Sequence, residues 1–132
     1  RLEIGPRDLE NGVVMAMRRD TLEKFTIPAA ELQAKLPALL DDIQQTLFNQ
    51  AKDFRDSHTK VVHNMEELGE AVQDGFAKAM WCGDRACEDK IKDEFNASSR
   101  NMPFDQEGEA CGDTCVCCGK KAKKVMYFAK AY

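Results

Sequence analysis

Trp81-Cys82-Gly83-Asp84-Arg85-Ala86-Cys87-Glu88 is answered further along by Ala110-Cys111-Gly112-Asp113-Thr114-Cys115-Val116-Cys117-Cys118-Gly119-Lys120, and these two segments hold all six cysteines of the chain. A pair, a gap and a second cluster is the spacing of a structural zinc site. Cys115 and Cys118 make a C-x-x-C-G knuckle, a turn tight enough to aim two sulfurs at one point. Gly119 allows the positive φ that such a turn wants. The Cys82/Cys87 pair is wider, with Gly83 supplying the bend. Four thiolates around a tetrahedral Zn²⁺ leave no open position for substrate, so the expected metal holds the fold and does no chemistry. Cys82, Cys87, Cys115 and Cys118 are the preferred ligands. Cys117 is the rival partner for Cys115, and Cys111 can replace either. Cys87 should lie in the first turn of a helix, where free N–H groups and the dipole stabilise a thiolate. Lys120 and Lys121 offset part of the site's negative charge, or else form an ordinary solvated face.

An even cysteine count also fits a disulfide framework. No signal peptide or apolar h-region is evident, so reduced thiols in an intracellular chain are expected instead. A redox C-x-x-C is disfavoured because the motif does not open a helix after a buried strand. The chain has 132 residues, with 23 acidic and 19 basic side chains and a formal charge of −4. That argues against a broad nucleic-acid-coating surface, though not against a local basic face. No run of about 18 apolar residues occurs, so no membrane span is expected. Arg1-Leu2-Glu3-Ile4 begins in mid-pattern without a methionine, as a fragment of a longer chain would.

Alternation over 1–4 reads as a strand ended by Gly5-Pro6. Val13 to Met17 is an apolar strand, expected to be buried on both faces and neighbour to the first. Leu22 to Ile27 reads as a short edge strand. From Pro28 the period becomes helical. Leu32, Leu36, Leu39, Leu40, Ile43, Leu47, Phe48, Ala51 and Phe54 form a stripe that reads as core. Pro37 should divide it into a short helix to about Lys35 and a long one thereafter. Ser57-His58-Thr59-Lys60 marks a boundary. Beyond it come a strand at 60–63, a helix capped by Asn64 over 65–74 with Gly75 as its stop, a strand at 76–81, and a helix from Asp84 or Arg85 through Phe95. An extended segment at 98–104, an acidic loop and a last strand at 124–131 complete the order β-α-β-α-β-β.

Leu2-Glu3-Ile4-Gly5-Pro6-Arg7-Asp8, Arg18-Arg19-Asp20-Thr21, Trp81-Cys82-Gly83-Asp84, Cys118-Gly119-Lys120 and Phe128-Ala129-Lys130-Ala131-Tyr132 together resemble prolyl-tRNA synthetase of the class II, archaeal/eukaryote-like type. The resemblance runs along the whole chain. It implies an α/β (α+β) fold: residues 1–57 as the end of a helix-covered anticodon-binding sheet, and residues 58–132 as a C-terminal zinc-binding domain. It implies a parent enzyme that joins proline to its tRNA with ATP and Mg²⁺, on a catalytic domain outside these residues, so that the fragment alone is inactive. Its implied partners are proline tRNA, the catalytic domain of the same chain and a second copy in a homodimer, in the cytoplasm, with no membrane or DNA. By the same likeness Glu3, Arg7 and Arg18 face the anticodon guanines. A carboxylate can accept from a guanine N1–H/N2–H₂ edge, and arginine can grip O6 and N7 or a phosphate. The alternative is pairing with neighbours such as Asp8 and Asp20. Tyr132 would carry a terminal carboxylate toward the synthetic site. Cys111 and Cys117 exceed what the zinc site needs.

Two rival functions remain at this level. One is a free-standing zinc-stabilised RNA module using Lys120, Lys121, Lys123, Lys124 and Lys130, with Tyr127, Phe128 and Tyr132 as stacking aromatics. The other is an interaction domain docking through the Leu/Phe helix. His58 and His63 have no nucleophile pattern beside them and read as surface or satisfied histidines.

Overall fold

The computed structural model describes residues 1–131. They form two compact units, Arg1–Phe54 and a second beginning at Arg55.

In the first unit β1 (Leu2–Glu3), α1 (Pro6–Glu10), β2 (Val13–Met17) and β3 (Lys24–Pro28) precede the long α2 (Leu32–Ser57). The strands form an antiparallel sheet in the order β1-β2-β3. Leu2 lies opposite Ala16, and Val14 opposite Ile27. The short α1 was not anticipated, because Gly5-Pro6 reads as a terminator. Here Pro6 opens the helix, where its missing N–H costs nothing, and the Gly5 N–H donates to Asp8 Oδ2 at 2.8 Å. Burial along β2 alternates rather than covering both faces: Val14 and Ala16 are buried, while Val13, Met15 and Met17 are half-buried. An antiparallel strand presents alternate side chains to opposite faces, and one face here is only partly covered.

The expected division of α2 at Pro37 does not occur, and the helix runs through it. One 3₁₀ turn at Ala29–Glu31 leads into it. Pro37 stands within two turns of the helix start, so the single hydrogen bond it removes lies near the helix end and does not interrupt it. The Leu/Phe stripe is not core within the described chain. Only Ile43 of α2 is buried, while Leu40, Phe48 and Phe54 are 62%, 57% and 65% exposed.

The second unit runs β4 (Thr59–Val62), α3 (Met65–Ala71), β5 (Phe76–Trp81), α4 (Arg85–Phe95), β6 (Ala97–Asn101) and β7 (Lys124–Lys130). This is the order read from the sequence. The sheet is mixed, β4-β5-β7-β6, with β4 and β5 parallel and the other pairs antiparallel. A parallel pair needs a crossover, which α3 supplies. Ala77 and Ala79 of β5 and Met126 and Phe128 of β7 face Leu68, Val72 and Ile91 in the core. Each of Leu68, Ile91 and Phe128 is fully buried, and burial of such a side chain stabilises by about 1.5–3 kcal/mol. Asn64 caps α3 by accepting from the Glu67 N–H at 2.9 Å. The helix ends at Ala71, short of the expected 74, and turns through Val72. Gly75 is therefore not its C-cap. A Cβ there would sit 2.1 Å from the His58 carbonyl oxygen, so the residue is small because the backbone entering β4 passes too closely for any side chain.

Candidate metal centre

Three pieces of the second unit converge on one point. The end of β5 delivers Cys82, and Gly83, at φ +87°, turns the chain into α4. Asp84 caps that helix by accepting from the Ala86 N–H at 3.0 Å, which places Cys87 in the first turn. The knuckle closes through the Gly119 N–H donating to the Cys115 carbonyl at 2.9 Å and the Cys115 N–H donating to the Lys120 carbonyl at 2.7 Å. Gly119 takes φ +69°, the left-handed geometry its position was read to need.

The sulfurs of Cys82, Cys87, Cys115 and Cys118 all lie within 4.8 Å of one another. Cys82 and Cys87 are 3.7 Å apart, and Cys82 and Cys118 are 3.8 Å apart. A disulfide requires about 2.05 Å, and all six cysteines are free thiols. A regular tetrahedron with metal–sulfur bonds of about 2.3 Å has edges of about 3.8 Å. The donor set and its spacing therefore fit a tetrahedrally bound metal ion. Cys82, Cys87 and Cys115 are buried, with Trp81 packed beside them, and Cys118 is exposed.

Burial pushes the Cys82 and Cys87 thiols up, as low dielectric disfavours thiolate. Burial acts the same way at Cys115. Backbone N–H groups of Cys118, Cys117 and Cys82 aimed at its sulfur outweigh it, and bring the thiol down to about 7. The knuckle backbone thus favours a thiolate before any cation is counted.

Cys117, the rival ligand, stands outside the four-thiol group and packs half-buried between it and the core. Cys111 is also outside, its sulfur 4.0 Å from the Lys78 carbonyl. Of the histidines, the His63 backbone N–H donates to Glu67 Oε2 at 2.8 Å, and His58 Nδ1 is 3.1 Å from Ser57 Oγ.

The residues read toward RNA lie in the first unit. Glu3 is exposed and paired with Arg1, and Arg7 is exposed on α1. Arg18 at the end of β2 is held on three sides: Nε and Nη2 donate to Asp20 at 3.0 and 2.6 Å, and Nη1 to Asp42 of α2 at 2.5 Å. The hydrogen bonds from Arg18 hold the Asp20 carboxyl below the usual carboxylate range. Tyr132 lies outside the described residues.

A feature that the sequence did not reveal is a cleft of about 450 Å³ lined in part by Thr59, Phe76, Lys78, Glu109 and Tyr127. Its charges are matched internally. Lys78 pairs with Glu109, and Tyr127 Oη donates to Glu109 at 3.3 Å. Burial, the largest single influence, would lower Lys78, but Glu109, Tyr127 and Cys111 together outweigh it and raise it. These partners are far apart in sequence, and no local pattern announces them.

The fold and the thiol cluster define a small α+β domain with four cysteine sulfurs gathered closely enough to hold a metal ion. A family model described as "Prolyl-tRNA synthetase, C-terminal" matches residues 65–132. Across its whole length the chain is 52% identical to proline–tRNA ligase 2 of Bacillus cereus, covering 28% of that protein. It is 49% identical to proline–tRNA ligase of Oceanobacillus iheyensis, covering 27%, and 48% to that of Clostridium novyi, covering 28%. This chain belongs to the prolyl-tRNA synthetase C-terminal family. It spans about 28% of the length of the curated relatives it matches.

Proposed function

We propose that these residues are the C-terminal part of a proline–tRNA ligase, supplying anticodon-side tRNA binding and a structural zinc domain. The observation that carries this reading is an identity of about half to curated proline–tRNA ligases in alignments that cover the whole chain. The parent would attach proline to its tRNA with ATP and Mg²⁺ on a catalytic domain outside these residues, as a cytoplasmic homodimer. Residues 1–57 are read as the end of the anticodon-binding domain and 58–132 as the zinc domain.

Cys82, Cys87, Cys115 and Cys118 are the residues that would hold Zn²⁺. Bound there, the ion supplies a crosslink and no Lewis-acid chemistry, because four protein ligands close its coordination. Glu3 and Arg7 are exposed to reach an RNA base or phosphate. Arg18 would do so by exchanging Asp42 for a phosphate while Asp20 keeps its fork in place. Tyr132 is read, from the family likeness, as directed to the synthetic site.

The test is native mass spectrometry of the purified chain with no metal added, followed by tRNA binding. One zinc per chain and measurable affinity for proline tRNA, weakened by Arg7→Ala, are expected. A metal-free chain with its cysteines paired would overturn the zinc centre. No difference between proline tRNA and other tRNAs would overturn the anticodon role.

A further inference from the structure

Lys120, Lys121, Lys123 and Lys124 lie within five consecutive residues, and all four are exposed. Among the described residues none of the four forms an ion pair. Lys35, Arg55, Lys78, Arg85 and Lys90 each pair with a carboxylate, while Lys24, Lys60 and Lys92 do not, so it is the clustering of four unpaired lysines within five residues that sets this segment apart. It also sets them against the chain as a whole, which carries a formal charge of −4.

The segment bearing them is fixed rather than loose. The Lys120 carbonyl accepts from the Cys115 N–H at 2.7 Å, and Lys121 bridges to Thr114. The Ala122 N–H donates to the Asp113 carbonyl at 2.8 Å and the Lys123 N–H to the Trp81 carbonyl at 2.9 Å. Lys124 then begins β7. Each backbone position is tied to the knuckle or to the β5 end, so the four ammonium groups are presented from one scaffold. Four steps of chain span at most about 13 Å, which bounds the segment to the length of a short run of phosphates at about 3.4 Å each along one strand. Charge balance at the metal centre does not account for all of them. A divalent ion with four thiolates carries a net charge of about −2, which two lysines match.

We propose that the segment 120–124 binds the phosphate backbone of tRNA, separately from the residues read toward the anticodon. The proposal rests on the tRNA-ligase reading above. It assigns these lysines a sequence-independent, electrostatic share of binding: neutralising each phosphate releases a counterion, and the salt dependence counts them.

The test compares the zinc-loaded chain with Lys120→Gln/Lys121→Gln/Lys123→Gln/Lys124→Gln, measuring affinity for proline tRNA and for an unrelated tRNA between 50 and 200 mM salt. Four phosphates left without their lysines, at about 0.7–0.9 counterions each, should flatten the slope of log K against log salt by about 3. The wild type should then lose roughly fifty- to a hundredfold more affinity over that range than the variant. The effect should be equal on both tRNAs, and zinc content should be unchanged. Should the quadruple variant lose zinc, the double variants Lys120→Gln/Lys121→Gln and Lys123→Gln/Lys124→Gln carry the test, each expected to give about half the flattening. Wild-type binding with an identical slope in the zinc-loaded variants overturns this proposal and leaves the ligase reading standing. A wild type that binds no tRNA overturns both.

Discussion

Cys117 and Cys118 are neighbours in the chain, yet one packs against apolar side chains and the other points its sulfur at three more. Substitution should separate them. Cys118→Ala removes a member of the thiol cluster. Structural zinc binding is coupled to folding free energy, so native mass should show no bound metal and circular dichroism should show the second unit unfolded at room temperature. Cys117→Ala removes only a partly buried side chain. It should keep the metal and cost about 1 kcal/mol in a urea titration. Equal collapse of both would reassign the ligands. At the other end of the chain Asp20 makes a pH prediction. Its folded pKa lies below the ordinary carboxylate value of about 3.9, because Arg18 donates to it. That contribution is complete above pH 4 and is lost as pH falls through the depressed folded value. Acid titration of the first unit should show a loss below pH 4 that Asp20→Asn lacks, and a curve unchanged by the substitution would refute the clamp. At this scale the thiols were legible because ligand spacing is local. Only half of the Arg18 clamp was. Asp20 is two residues away, whereas Asp42 arrives from a helix that no local pattern places there.

Among the elements, the strands and helices around the thiols were readable because turn residues, caps and alternation coincide there. The misses have a common cause: a local signal was overruled by what lies beside it. Pro37 signals a helix break, but the surrounding helix-forming residues carry α2 through it. Pro37→Ala restores one backbone hydrogen bond at some loss of unfolded-state stiffness. It should stabilise the first unit by about 2 kcal/mol, read as a higher urea midpoint. A drop in stability would mean that the proline is needed to set the helix entry. Gly75 looked like a helix stop and is instead a place where two backbones nearly touch. Gly75→Ala should therefore destabilise the second unit by about 2–3 kcal/mol through overpacking, visible as a lowered thermal midpoint. A C-cap role alone would cost far less, since no positive φ is needed at this position.

For the molecule as a whole, two compact units of different construction predict two responses to one reagent. Only the second holds the thiol cluster. A strong chelator at neutral pH should abolish its calorimetric transition and leave that of the first unit in place. Lowering the pH should speed the loss, because protons compete for the thiolates that bind the ion. A single transition insensitive to chelator would sink the structural role of the metal. The apolar stripe of α2 marks the limit of what the sequence could tell at this scale. Its period was read correctly as amphipathic, but periodicity names a face that wants cover without saying whether the cover lies within these residues.

The strand order of the second unit also sets a timetable. Among the described residues β6 pairs only with β7, and β5 meets β6 only through it. The sheet's third position is thus filled by its last-made strand, and the two sulfurs of the knuckle are synthesised only just before it. A ribosome adds about 5–20 residues each second. Throughout that interval β5 waits with an open edge and Cys82 and Cys87 wait with half a site. The sheet and the thiol cluster can be completed only once the knuckle and β7 are clear of the exit tunnel, however much of β4, α3, β5 and α4 has formed before then.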